Sequence, residues 1–262
     1  RSSAASDVYK RQGINTDGLV TDESVNTTLA FVHTLPGGDR EFSFYRNPGA
    51  DMMLSESDID YKLIQNSSIF HFGSLSMTGE ICEAATKKAV ETAKESGAII
   101  SFDPNLRENL WDSLDKAREK IAYGISECDI LKISDNEIQW FTGEQDFDRA
   151  VEILRGRYGN IKLLLLSLGK NGSRAYCGEN SAFAPAAPAN TIETTGAGDT
   201  FCGGILAKVL KYGLRNYSAE ELTGILNYAN SAAGIVTERR GALKVMPSPA
   251  EINERMERIT ND

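Results

Sequence analysis

Between Ile161 and Leu168 the chain is apolar at nearly every position. A strand with one wet face alternates apolar and polar residues, whereas a near-continuous apolar run suits a strand covered on both faces. That constraint points to helices above and below a largely parallel sheet, and the neighbouring segments agree with it. Ser68–Phe72, Ala98–Phe102 and Asp129–Ile133 are short apolar strands. Between the first two, Thr78 is placed to cap a helix carrying Ile81, Ala85, Ala89 and Ala93, which Gly97 ends at C′. A second helix carries Leu114, Ala117, Ile121 and Ile125. Ser218–Glu221 and Ser248–Glu251 are capping boxes that open the last two helices. Repeated strand–helix–strand order implies right-handed crossovers and an α/β fold.

Ahead of this body, Val25–Leu35 and Glu41–Arg46 are rich in residues that favour strands. The turn Pro36-Gly37-Gly38-Asp39 joins them into a hairpin. Arg1–Gln12 is small and polar without apolar periodicity, and reads as a disordered or foreign tail.

Composition narrows the function class. The 262 residues carry 28 Lys plus Arg against 37 Asp plus Glu, a net charge of −9, with no basic block. A nucleic-acid or anionic-membrane surface is therefore not expected. No run nears the roughly eighteen apolar residues of a membrane-spanning helix, and no secretory h-region is visible. Cys82, Cys128, Cys177 and Cys202 are scattered and only His33 and His71 accompany them, so no zinc pattern forms. Cysteines spaced this way are expected to be reduced and buried in a cytoplasmic protein.

The sharpest chemical feature is Glu193-Thr194-Thr195-Gly196-Ala197-Gly198-Asp199, followed by Thr200-Phe201-Cys202-Gly203-Gly204 and an apolar helix. Small residues let a backbone approach a ligand closely, and the N–H groups of a helix start form an anion site. Asp199 in the first turn can reach a hydroxyl beside a bound phosphate, as a base in phosphoryl transfer must. A plain glycine turn with an Asp N-cap is the simpler alternative. A dinucleotide fingerprint is excluded because position 201 is Phe, and Gly169-Lys170-Asn171 lacks the rest of a Walker A loop.

Thr195–Phe201 with Gly203-Gly204 resembles the C-terminal signature of the ribokinase-like (PfkB) carbohydrate kinases. Further motifs follow in that family's order: Phe42–Arg46 with Gly49-Ala50-Asp51, Phe72–Leu75, Asp103–Arg107 with Leu110-Trp111, Lys132–Glu137, Phe141–Gly143, Leu168–Gly172 and Arg240–Ala242. Within the family these variants look most like the fructokinases. The resemblance implies a ribokinase-like three-layer sandwich with a mostly parallel central sheet and a small β lid. Residues 13–50 would form the lid segment and residues 51–262 the nucleotide-binding and catalytic domain, behind the tail at 1–12.

Carried over by position, Asp199 would activate the sugar's primary hydroxyl, with Gly196, Ala197 and Gly198 as the anion hole. ATP would be held by Ser134, Ser167, Gly169, Gly172, Gly198 and Asn230, and Mg²⁺ through water by Glu137. Ser134 and Ser167 replace the family's Asn and Thr. Ser134 with Glu137 could equally be a helix cap, Gly172 part of a β-turn, and Asn230 a packed polar residue. Phe31, Arg46 and Arg107 would contact the sugar, although each arginine could instead be a solvated loop residue. Glu193 stands where many members have Asp, beside Thr195, at a monovalent-cation site that leaves K⁺ use open. His71, Trp111 and Trp140 read as packing. The implied partners are a sugar and ATP, with no nucleic acid or membrane, and a homodimer through the lid.

The first expectation is ATP-dependent phosphorylation of fructose. A 2-keto-3-deoxygluconate kinase is the neighbouring alternative, and Phe44-Tyr45-Arg46, where an acidic substrate would favour Tyr-Tyr-Arg, tilts away from it. Similar kinases begin with a strand, a Gly-Gly-containing segment and a helix, none of which precedes Gly13. The chain therefore reads as N-terminally truncated, and an incompetent kinase fragment, weakly active or inactive alone, is the third expectation.

Overall fold

The computed structural model describes residues 8–34 and 40–261. They fall into two compact units, residues 8–33 with 41–129, and residues 34 and 40 with 130–261.

The first unit opens with one helical turn at residues 8–11 (α1), where Gln12 N–H donates to Val8 and Tyr9 carbonyls. Part of the segment read as a tail is thus helical, and residues 1–7 lie outside the described residues. Strands β1 (Leu29–Thr34) and β2 (Arg40–Tyr45) form a two-stranded sheet. The turn expected at Pro36–Asp39 lies outside the described residues. In β2 the period of two sets Phe42 and Phe44 on one face, where their rings stack at 5.9 Å. After α2 (Tyr61–Gln65) come β3 (Ile69–Gly73), α3 (Glu80–Glu95), β4 (Ile99–Asp103) and α4 (Leu114–Glu127). Strands β3 and β4 pair in parallel, Ile69 opposite Ile99 and Gly73 opposite Asp103. Helix α4 comes so close to β4 that a Cβ at Gly124 would run into the Phe102 ring.

Two expectations here are corrected. Thr78 does not cap α3: the N-cap is Gly79, and the Thr78 hydroxyl donates to Leu75 O while accepting from Arg46. Ile81 is 44% exposed, because the buried stripe runs through Cys82, Ala85, Thr86, Ala89, Val90 and Ala93 and leaves position 81 at its edge.

The second unit contains β5 (Ile130–Ser134), α5 (Asp135–Thr142), α6 (Phe147–Arg157), β6 (Leu163–Ser167), β7 (Ser173–Cys177), β8 (Asn180–Ala184), α7 (Ala197–Tyr212), α8 (Ala219–Thr237) and α9 (Pro249–Asn261). Strands β5 and β6 are parallel, whereas β6–β7 and β7–β8 are antiparallel. Leu163 to Leu166 are fully buried, as the apolar run requires. Helices α7 and α8 pack through Gly204, where a Cβ would stand 3.2 Å from Ala229 Cα. Tyr228, Ala232 and Ile235 of α8 bury Ile252 and Met256 of α9. Both capping boxes form as read: Ser218 N–H donates to Glu221 (2.9 Å) and Ser248 N–H to Glu251 (2.8 Å). All four cysteines are buried, and burial pushes the Cys82 and Cys128 thiols up. Among the described residues no helix is long and apolar enough to cross a membrane.

Candidate active site

The glycine loop of the second unit is tied down before it turns. Ile192 and Glu193 N–H both donate to Thr237 O at the end of α8 (2.8 and 3.0 Å). The chain then needs a left-handed residue to enter α7, and Gly196 supplies it with φ +80° as the N-cap. Thr200 N–H makes the first helical bond to Gly196 O (2.8 Å), and its hydroxyl donates to the same oxygen (2.7 Å). A helix start leaves its first N–H groups without intrahelical acceptors. Of the three groups expected as an anion hole, Ala197 N–H is taken by Thr194 O at 3.2 Å. Gly198 and Asp199, the second and third helical residues, are left pointing out of the helix end.

Asp199 is exposed, and among the described residues its carboxylate has no hydrogen-bond or ion-pair partner. It is not the N-cap of the simpler alternative, since Gly196 holds that place. A carboxylate on the first turn of a helix and unused by the protein is available to a ligand.

Lys132, which the sequence reading passed over, points at this loop from β5. It is only 5% exposed, and a Cβ at Gly198 would lie 3.5 Å from its Nζ and 3.9 Å from its Cε. The ammonium therefore stands beside Gly198 at the helix start. The available signal was a lysine inside the apolar strand Ile130-Leu131-Lys132-Ile133, since lysine is almost never fully buried without a partner.

Ser134 and Ser167 end parallel strands β5 and β6 and face each other in register. The carboxyl ends of such strands are where open α/β sheets bind ligands. Ser134 N–H and Oγ–H both donate to Glu137 Oε2 (2.8 Å each), so the helix-cap alternative is realised, and it fixes the Glu137 carboxylate at the strand end. Gly169 has φ +54° and starts the turn after β6. Gly172 has φ +99°, and a Cβ there would run into Ala184 O, which accounts for that glycine by packing alone.

Asn230 is a correction. It is 8% exposed, its Nδ2 donates to Pro185 O (2.9 Å) and Ala184 O (3.2 Å), and its Oδ1 accepts from Ser173 Oγ (2.9 Å). Both amide donors are spent tying α8 to β7 and to the end of β8, so none is left for a nucleotide base. Among the described residues Thr195 Oγ1, in contrast, is buried without a hydrogen-bond partner. An orphaned hydroxyl two residues along the chain from Glu193 fits the donor chemistry of a monovalent cation.

In the first unit the two arginines part company. Arg46, whose side chain is 5% exposed, donates through Nε to Asp51 Oδ2 (2.7 Å), through Nη1 to Thr78 Oγ1 (2.8 Å) and through Nη2 to Leu75 O (3.0 Å). Thr28 Oγ1 also donates to Asp51. Burial pushes the Asp51 carboxyl up, but hydrogen bonds from Arg46 and Thr28 and the Arg46 charge outweigh it, holding the group below its ordinary range. Arg46 is therefore consumed by the base of the hairpin and is not open to a sugar. Arg107 donates from Nη1 to Leu106 O (2.9 Å), and its remaining guanidinium donors have no partner among the described residues. Phe31 on β1 is 55% exposed. Among the described residues Trp111 Nε1 is buried without an acceptor.

Comparison with known proteins identifies the family of the chain. A profile of the pfkB family carbohydrate kinases matches residues 3–249. Fructokinase-2 of Oryza sativa subsp. japonica is 37% identical over 255 residues, which are 97% of this chain and 76% of that protein. The crystal structure of fructokinase from Xylella fastidiosa with bound ATP superposes with a TM-score of 0.87 at 27% identity, over 97% of this chain and 80% of the other. Fructokinase from Vibrio cholerae O395, in a form with fructose, ADP and calcium ion bound, gives a TM-score of 0.87 at 25% identity, over 96% of this chain and 80% of that one.

Proposed function

The chain belongs to the pfkB family of carbohydrate kinases, and on that premise we propose that it transfers the γ-phosphoryl group of ATP to the primary hydroxyl of fructose. The observation that carries this reading is Asp199, an exposed carboxylate without a partner among the described residues, set on the first turn of α7 beside the outward N–H groups of the helix start and the Lys132 ammonium. Asp199 accepts the hydroxyl proton as the sugar oxygen bonds to the γ-phosphorus. The bond from that phosphorus to the β–γ bridging oxygen breaks, and ADP leaves with the electron pair. The N–H groups of Gly198 and Asp199 and the charge of Lys132 balance the negative charge on the transferring group.

Ser134, Ser167 and Gly169, at the ends of β5 and β6, line the nucleotide side. Glu137 suits Mg²⁺, which keeps several waters and needs few protein ligands. When bound, the ion neutralises phosphate charge. Thr195 and Glu193 are the groups for K⁺. Arg107 is the sugar-binding cation, and the β1–β2 hairpin, with Phe31, serves as a lid that excludes water. Leu29, Phe31 and Tyr45 leave that hairpin apolar and exposed, which favours a homodimer through it.

The test is ADP release with fructose and with 2-keto-3-deoxygluconate at equal concentrations, using the wild-type chain and Asp199→Asn. Fructose-dependent release that Asp199→Asn removes supports the reading. A clear preference for the acid, or turnover indifferent to Asp199, overturns it.

A further inference from the structure

Arg107 does not hold its own guanidinium in place. Among the described residues its single hydrogen bond is to Leu106 O, the carbonyl of the preceding residue, which leaves the fork free to swing on a long side chain. What stands under it is Phe42: the Arg107 Cζ lies 5.2 Å from the centre of that ring. A guanidinium within about 6 Å of an aromatic centroid is attracted by the negative face of the ring, and the planar group can lie over it without giving up its in-plane donors. The ring itself is braced. It stacks on Phe44, 12° from parallel, and Asn109 Nδ2 reaches Phe42 O at 3.5 Å. Arg46, the other arginine read from the sequence as a sugar contact, is held by three protein oxygens, of Asp51, Thr78 and Leu75, and needs no such support.

We infer that Phe42 is the positioning residue for Arg107: the β2 ring sets where the guanidinium presents its open donors to the oxygens of the sugar. The inference rests on the reading of Arg107 as the sugar-binding cation. It makes the strand, and not the loop that carries Arg107, the element that tunes sugar affinity. A leucine at position 42 would fill similar space but offers no π face, whereas a tyrosine offers one.

Phe42→Leu, Phe42→Tyr, Arg107→Met and the Phe42→Leu/Arg107→Met pair separate the possibilities. The readouts are the KM for fructose, the KM for ATP, kcat, and the ring-current shift of the Arg107 Nε–H resonance. Phe42→Leu is expected to raise the fructose KM by roughly 3- to 30-fold, the range for cation–π attraction, and to abolish the upfield shift while the KM for ATP holds. Phe42→Tyr should restore both, and Phe42→Leu should add nothing once Arg107 is Met. Equal behaviour of the Leu and Tyr variants, or a further loss in the double variant, overturns the inference. If the resonance shift responds to Phe42 but Arg107→Met leaves the fructose KM unchanged, the inference also fails, and the fault lies in the sugar-contact reading. If the fructose KM rises in Arg107→Met but is indifferent to Phe42, that reading stands and the positioning role alone is lost.

Discussion

The ammonium of Lys132 stands beside Gly198, where a Cβ would be 3.5 Å from Nζ. A cation on a fully packed strand is thereby delivered to the start of a helix whose N–H groups already favour an anion. Lys132→Met keeps the apolar stem and removes the charge. It is expected to lower kcat by about 10²–10³-fold, the usual cost of losing one preorganised electrostatic donor. Steady-state kinetics at saturating fructose and ATP check this, and an unchanged kcat removes Lys132 from the reaction.

Gly198 and Gly172 should respond oppositely to alanine. At Gly198 the backbone is right-handed and the nearest atom to a new Cβ is at ordinary contact distance, so the fold tolerates the change. The methyl group then stands where a phosphoryl oxygen must approach, and activity falls with little change in Tm. At Gly172 the positive φ and the Ala184 carbonyl both oppose a side chain. Strain and overpacking together cost on the order of 3 kcal/mol, a fall of roughly 6–12 °C in Tm. Differential scanning calorimetry alongside the activity assay separates the two.

Asp199→Asn removes a base that supports nothing else. The expected loss in kcat is about 10²–10⁴-fold. Because the carboxylate has no partner among the described residues, Tm should move by no more than about 1–2 °C. A large drop in Tm would assign Asp199 to the fold instead.

Asp51 links stability to pH. Its folded carboxyl is held below the ordinary value of 3.8, so its contribution is fully present above that pH and is lost as pH falls through the lower folded value. Asp51→Asn should therefore destabilise the chain at neutral pH and flatten the loss of stability below about pH 4. Asp51 is half exposed while Arg46 is buried, so screening limits the neutral-pH cost to roughly 1–3 kcal/mol. Urea titrations at pH 7 and pH 3 measure both effects.

Asn230→Ala leaves Ser173 Oγ and two carbonyls of the β8 end short of partners. Each unsatisfied buried group costs about 1–3 kcal/mol, so Tm should fall while the KM for ATP is unchanged. A selective rise in that KM would return Asn230 to the nucleotide site.

The sequence by itself determined what depends on neighbours in the chain. The apolar run at 161–168, the capping boxes at Ser218 and Ser248 and the placing of Asp199 in a first helical turn all rest on local geometry and hydrophobic period. Side chains whose meaning lies in distant partners were legible as residue types and not as roles. Arg46 looked open until Leu75 and Thr78 closed on it, Asn230 until Ser173, 57 residues away, took its carbonyl, and Lys132 was passed over as part of a strand. Tertiary structure decided these because a long polar side chain takes its function from whichever donor or acceptor the fold brings within hydrogen-bonding distance.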